Sequence, residues 1–428
     1  MFDYSSLAWY PKTLPSSTTL TSVPTSAKDG AERTLTYASR AVSLASRSMD
    51  IQSLEKQLRG AQATLTVILA ENAASTATDN AFKAQVKDAW FNATLNLDSL
   101  SKDNAYGIAH LSLPANIIYV VVFACVFLYF TLMIWKSRYH WFNVSFFCGY
   151  GLELAGFVSR LCSEADMNMM DPFICQFVVL TFAPVFIMAA IYYLLAELIV
   201  VYGAQYSLLR PMWFTYIFIV SDVTSLVIQA AGGGASSSAQ NSDKSTHTGT
   251  SVMVAGIVFQ VFSMTVFLLL MFVFLFRVYV IPSRSLRKSG EFQQLPKITP
   301  KIFLKLLFNT KSTLQYKSNY LENFYEPEYA QIRARPLFPY FPLAILVGTI
   351  FVYIRTVYRV VELAQGFSGY LIRHEVFLMV LDALMIAFCA FVFVPFHPYF
   401  ALGPEPITVV EIKNAQRKAR LSKNAASK

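Results

Sequence analysis

Three acidic side chains, Glu153, Asp222 and Asp382, stand inside runs that are otherwise almost wholly apolar. An ionisable group near the middle of a bilayer costs at least about 2.5–3.5 kcal/mol, so each must face a partner, water or a ligand. The residues around them recur at helical spacing. Glu153, Gly156 and Arg160 fall at i, i+3 and i+7, and so do Asp222, Ser225 and Gln229. Each set therefore shares one helix face. Arg355, Arg359 and Glu362 follow at i, i+4 and i+7, Glu375 and Asp382 lie one heptad apart, and Gln260 sits in a further apolar run. At about 1.5 Å of rise per residue, Glu153, Asp222 and Asp382 come out between the midplane and the outer leaflet. Arg160, Arg355, Arg359, Glu362 and Glu375 form a shell above them. Two chemistries fit. Glu153, Asp222, Gln229, Gln260 and Asp382 could line a polar cavity that receives the ammonium head of an amphiphile. The arginines with Glu362 and Glu375 could form an interhelical ion-pair lattice that fixes the bundle, and for them the lattice is the favoured reading.

The elements that must hold these groups follow from composition. Of 428 residues, 55% are hydrophobic and 14% charged, against about 25% charged in a soluble domain. That deficit excludes a water-facing surface of this size and points to an all-α polytopic membrane protein. A spanning helix needs about 20 apolar residues, and seven runs qualify, near 114–135, 141–161, 172–202, 211–231, 251–281, 338–361 and 376–400. Trp135, Trp141 and Trp213 stand at span ends, where indole rings prefer the headgroup level. Alternate loops beginning with 136–140 and ending with the 401–428 tail hold 19 Lys and Arg, and the intervening loops hold 2. The positive-inside rule then sets a seven-helix bundle with its N-terminus outside and C-terminus inside.

Residues 1–113 hold ten basic and ten acidic residues and no run long enough to span. They are expected to be an extracytoplasmic tail, disordered in the Pro/Ser/Thr-rich stretch 11–26 and weakly helical over 31–59. Asn92-Ala93-Thr94 is a glycosylation sequon in that tail, whereas Asn143-Val144-Ser145 falls in a span and should be silent. The loop 282–337 has a net charge of +6. Within 297–308, Ile302, Phe303, Leu306 and Leu307 share one helical face flanked by Lys301 and Lys305. This reads as a short helix lying on the anionic inner leaflet, with a helix capping the bundle in water as the alternative. Basic residues bordering lipid spans argue against nucleic-acid binding.

Other motifs are thin. No G-x-x-x-x-G-K-[ST] occurs, so no nucleotide site and no cofactor is expected, and any ATP dependence must be indirect. The five histidines are too scattered for a metal or haem site, and Cys162 and Cys175 could pair if their loop is extracytoplasmic. Gly232-Gly233-Gly234 opens an outer loop and reads as letting the backbone turn at close helix approach, and His397 as an interfacial residue. Two other classes fit the seven spans less well. A heptahelical receptor would be expected to carry Asp-Arg-Tyr where this chain has Ala196-Glu197-Leu198-Ile199-Val200-Val201-Tyr202, and Asn-Pro-x-x-Tyr where it ends in His397-Pro398. An intramembrane enzyme would need a catalytic pair, and Asp222 with Asp382 matches no such motif.

The run from Ser221 to Gly234, together with Gly149-Tyr150, Glu153, Gly156, Arg160, Ala183-Pro184 and Tyr192-Tyr193, resembles the signature of the fungal RTA1-like lipid-translocating exporter family. The stretch Tyr358-Arg359-Val360-Val361-Glu362, Gly366, Gly369 through Ile372, His374-Glu375, Leu381 through Met385 and His397-Pro398 is similar to its sphingoid long-chain-base transporter branch. The resemblance covers about 114–400. Family members usually carry Gly after His-Pro, where this chain has Tyr399. It implies energy-dependent outward movement of sphingoid bases at a fungal plasma membrane and resistance to their toxicity. It assigns no substrate-binding residues.

Overall fold

The computed structural model describes residues 19–44, 48–101, 111–165, 170–241, 247–288, 300–365, 370–372, 374–407 and 410–412. Every regular element among them is helical. Lipid demands this, because a spanning helix satisfies its backbone polar groups within itself. The chain divides into two compact bodies, one of 1–111 with 235–246 and one of 112–234 with 247–428.

The first body contains α1 (Lys28–Val42), α2 (Ser48–Thr76) and α3 (Asn80–Ser101), with α2 packed on both others. Helix was expected over 31–59, where α1 and the start of α2 lie; the packing of α2 on both neighbours was not read from the sequence. Its interior is built largely from small residues, including Ala38, Ala61 and Ala63 beside Val67 and Ile68. Alanine favours helix but adds little to a hydrophobic period, so the pattern reads as weak. Cross-links finish the packing. Arg59 Nη2 donates to Ser99 Oγ at 2.9 Å, and Trp90 Nε1 donates to the Thr21 carbonyl at 2.8 Å. Residues 11–18 of the expected disordered stretch lie outside the described residues, and Thr25–Ala27 forms a 3₁₀ turn.

The second body runs α4 (Leu113–Lys136), α5 (His140–Ala165), α6 (Met170–Tyr202), α7 (Pro211–Asn241), α8 (His247–Lys288), α9 (Pro300–Leu307), α10 (Lys311–Tyr316), α11 (Ala330–Arg333), α12 (Phe341–Ala364), α13 (Glu375–Phe377), a π-helical stretch Leu378–Ala383, α14 (Leu384–Phe393) and α15 (Pro398–Ala401). Six helical stretches among the described residues are long and apolar enough to cross a membrane: Leu113–Lys136, Pro172–Tyr202, Pro211–Ser236, His247–Arg284, Phe338–Ala364 and Glu375–Ala401. The expected span 141–161 lies in α5, which is 26 residues long but diluted by Asn143, Ser145, Glu153, Ser159 and Arg160. Helix α5 packs against both α4 and α6 and buries Phe142, Phe146, Tyr150 and Phe157 completely. A helix so enclosed by protein can carry polar groups that a lipid-facing helix cannot.

Small residues set the closest crossings. A Cβ on Gly156 of α5 would stand 2.5 Å from Leu180 Cδ2 of α6, and one on Gly232 would stand 2.4 Å from the Met253 backbone nitrogen of α8. Gly232, Gly233 and Gly234 thus lie inside α7. Gly232 serves the close helix approach expected of it, but the chain does not turn there, since the helix runs on to Asn241.

The reading of 297–308 also changes. Residues 297–299 are outside the described set, and α9 covers the rest of its apolar face. Phe303, Leu306 and Leu307 are buried, and the Phe303 ring meets Phe272 at 5.4 Å, Phe276 at 5.6 Å and Tyr279 at 6.2 Å, all on α8. The face expected on lipid is turned to protein, because α8 continues past its apolar stretch and offers these rings. Leu304 and Phe308 stay exposed.

Candidate functional site

The ionisable groups of the spans separate into two ion-pair clusters and two isolated carboxyls. The larger cluster is built on α12. Arg355 projects from it toward α5 and α6, and its Nη2 lies 3.4 Å from Glu153 Oε1 and donates to the Leu180 carbonyl. That acceptor is free for a definite reason. Pro184 stands inside α6 and has no N–H, so the carbonyl four residues earlier has no helical donor. Arg355 Nε pairs with Asp382 Oδ1, and Arg359 Nη2 pairs with Asp382 Oδ2. Arg359 Nη1 reaches Glu362 Oε2 at 2.9 Å, and Tyr358 Oη donates to Glu362 Oε1 at 2.9 Å. Asp382 sits in the π-helical stretch, whose wider turn re-aims side chains and recurs at functional sites. All five charged groups are buried.

The second cluster closes the end of the bundle where α4 begins. Glu375 Oε1 lies 2.9 Å from Arg160 Nη2. The same carboxylate accepts from the Ser112 backbone N–H at 2.7 Å and from Asn116 Nδ2 at 3.0 Å, while Arg160 Nη1 donates to Gln176 Oε1 at 3.3 Å. One carboxylate thereby ties α4, α5 and the start of α13 together.

These pairs correct part of the sequence-based site. Glu153 and Asp382 were grouped with Asp222 as carboxylates awaiting a ligand, yet each meets an arginine. The reason is depth. Counting residues from span ends set Arg355 and Arg359 above Asp382, but the π-helical turn and the helix packing bring them level.

Asp222 is different. It is buried on α7, its Oδ2 accepts from Tyr192 Oη of α6 at 2.8 Å, and its Oδ1 has no hydrogen-bond partner. No cation stands within ion-pair distance of it among the described residues. An ion taken from water without compensation is strongly unfavourable, so its charge must be met by a proton or a cationic ligand. Aromatic rings surround the Tyr192 partner, with Phe267 at 4.6 Å and Phe218 at 5.5 Å, and these two are 5.2 Å apart. One turn and two turns along α7, Ser225 and Gln229 continue the polar face. Gln229 Nε2 donates to Ser225 Oγ at 3.3 Å and to Gln260 Oε1 of α8 at 3.2 Å. The structure therefore brings Asp222, Gln229 and Gln260 together on the α7–α8 side and leaves Glu153 and Asp382 with the arginines. A face of this kind can hold an ammonium group by charge, by amide oxygens and by aromatic rings.

Glu197 entered the sequence reading only within the stretch that stands in place of Asp-Arg-Tyr. It is completely buried on α6 with neither carboxyl oxygen hydrogen-bonded. His397, expected at an interface, is also fully buried. Tyr399 N–H donates to its Nδ1 at 3.1 Å, so its Nε2 carries the hydrogen it shares with Asn143 Oδ1 at 2.7 Å. It caps α15, and Asn143, of the sequon expected to be silent, is its partner. The other sequon residue, Asn92, is buried on α3, and Thr94 Oγ1 accepts from the Thr21 N–H at 3.2 Å. Cys162 and Cys175 are free thiols. No group of His, Cys, Asp and Glu able to hold a metal is found among the described residues.

Comparison with known proteins gives these residues a setting. Over 310 residues the chain is 38% identical to the sphingoid long-chain base transporter RSB1 of Saccharomyces cerevisiae, covering 71% of this chain and 76% of that protein. It is 29% identical to protoporphyrin uptake protein 1 of the same yeast, over 56% of this chain and 63% of the relative. It is 24% identical to the yeast protein RTA1, over 60% and 65%. No solved structure matches. Residues 146–405, which contain both ion-pair clusters, Asp222 and Glu197, match the model described as RTA1 like protein. The chain belongs to the RTA1-like family.

Proposed function

We propose that this protein moves sphingoid long-chain bases across the plasma membrane, from the cytoplasmic to the extracytoplasmic side, and so lowers the toxicity of amphiphilic amines to the cell. The reading is supported by the similarity to RSB1 and carried by one observation: Asp222, a buried carboxyl with an unpaired oxygen and no cation partner among the described residues. A sphingoid base is a single-chain lipid with a cationic amine. Its ammonium group would compensate Asp222, while Gln229 and Gln260 would hydrogen-bond its hydroxyls. Its chain would remain among the lipid-facing side chains of α7, of which Val220, Val223 and Val227 are exposed.

In this reading α5 is the seventh spanning helix, counted with the six apolar ones. The 19 to 2 bias of basic residues places α9 to α11 and the C-terminal tail inside and the Arg160–Glu375 cluster outside. The arginine lattice is the frame against which α7 and α8 work. It ties α5, α6, α12 and the Leu378–Ala383 stretch together through carboxylates that each have an arginine beside them. The protein carries no nucleotide motif, and any dependence on ATP in cells is indirect.

The test is export of a labelled sphingoid base by intact cells expressing wild-type protein or Asp222→Asn, with surface protein measured in parallel. Asp222→Asn is expected to cut export at least about tenfold, the loss of roughly 1.4 kcal/mol or more of charge interaction, at unchanged surface level. Export at the wild-type rate would remove Asp222 from the site.

A further inference from the structure

The second uncompensated carboxyl lies at the other end of the pathway. Glu197 is five residues beyond Tyr192 on α6, about 7.5 Å along the helix axis, and fully buried with both oxygens unsatisfied. Two phenols stand beside it, Tyr193 one turn back on α6 and Tyr139 from the α4–α5 connection. Tyr193 is within reach of the carboxyl, but neither phenol makes a well-aligned hydrogen bond to it. Tyr193 Oη donates to the Ile407 carbonyl at 3.3 Å, and Tyr139 Oη to the Glu405 carbonyl at 3.2 Å. The segment after α15 thus takes up both hydroxyls and covers this end, with Leu402, Ile407 and Ile412 buried. The charged groups of the next layer are Arg335, near Tyr139, and Glu411, near Tyr193. None of them forms an ion pair with Glu197 among the described residues.

A fully buried carboxyl with no cation and only a poorly aligned phenol beside it contributes nothing to packing that a methionine or leucine would not. Helix α6 reaches both such groups, Asp222 through Tyr192 and Glu197 on its own length. We infer that Glu197 is a proton-binding site and that the protein exchanges one proton, moving inward, for each ammonium lipid moving outward. The exchange balances. An ammonium lipid leaving Asp222 for the outer leaflet is replaced there by a proton from outside water. When the next ammonium lipid binds Asp222 from the inner leaflet, that proton moves to Glu197 and on to inside water, so one positive charge crosses each way. The inference rests on the transport reading and supplies that transport with a driving force independent of nucleotide.

The experiment uses the full-length protein in phosphatidylcholine vesicles that contain a fluorescent sphingoid base and an entrapped pH-sensitive dye. In wild-type vesicles, an outside bath more acid than the lumen is expected to speed outward lipid movement about tenfold, within the usual range of coupling, and to acidify the lumen as lipid leaves. Glu197→Gln, which keeps the shape but cannot release a proton, should abolish the gradient response and the lumenal acidification. Its unfolding temperature should stay within about 2 °C of wild type. Glu197→Asp should restore part of the response, which a purely structural role for the side chain would not produce. Lipid movement that is indifferent to the gradient in wild type, or a Glu197→Gln response equal to wild type, overturns proton exchange and leaves lipid transport standing. Absence of lipid movement from every vesicle overturns the transport reading itself, and this inference with it.

Discussion

A carboxyl group buried in hydrocarbon can settle its charge with an arginine, with a proton or with a visiting cation, and this protein sorts its carboxyls among these. Glu153, Asp382, Glu362 and Glu375 are each paired with arginine. Removing one arginine from such a cluster strands its partners. Arg359→Met should therefore destabilise the protein by about 3–5 kcal/mol, read as a fall in unfolding temperature in detergent. Adding Glu362→Gln to it should recover part of the loss, because Glu362 has no other arginine whereas Asp382 keeps Arg355. A neutral effect of Arg359→Met would mean that the lattice is not desolvated. The sequence shows that these residue types share depth and faces, but not which carboxylates are paired. Pairing depends on the wide turn at Leu378–Ala383 and on Pro184, and neither has a measurable reach in a residue count. Asp222 stands apart because α7 brings no arginine toward it, a fact of helix arrangement rather than of local spacing.

At the scale of elements, proline supplies acceptors for other helices. Pro184 frees the Leu180 carbonyl for Arg355, and Pro282 in α8 frees the Val278 carbonyl for Tyr325 Oη at 3.2 Å. The carbonyl four residues before a proline can be read in any sequence, although its partner cannot. Pro282→Ala should restore the helical bond at Val278 and release Tyr325, loosening the connection after α10. Faster proteolysis of intact vesicles between α10 and α12 would report it, and an unchanged digestion pattern would speak against it. Helix crossings give a sharper contrast. Gly232→Val places methyl groups against the α8 backbone and should cost about 1–3 kcal/mol. Gly234→Ala meets open space and should stabilise the helix by up to about 1 kcal/mol. Unfolding temperatures of the two variants should move in opposite directions. Long apolar runs made most spans legible. The α1–α3 body was not, because alanine rather than leucine fills its interior, and α9 misled because a protein surface and a lipid surface select the same amphipathic pattern.

At the scale of the whole molecule, the account requires a frame that holds still and a face that receives a cation. Orientation is the first check. An epitope at the N-terminus should be stained on intact cells and one at the C-terminus only after permeabilisation, as the distribution of basic residues requires. The reverse staining would invert the proposed direction of transport. The most direct measurement of the central claim is flipping of a fluorescent long-chain amine by the purified protein in nucleotide-free vesicles, compared with the same lipid bearing an N-acetyl group. Asp222 as a cation receiver predicts rapid movement of the amine, little movement of the neutral amide, and loss of this preference in Asp222→Asn. Equal movement of amine and amide by the wild-type protein would contradict it.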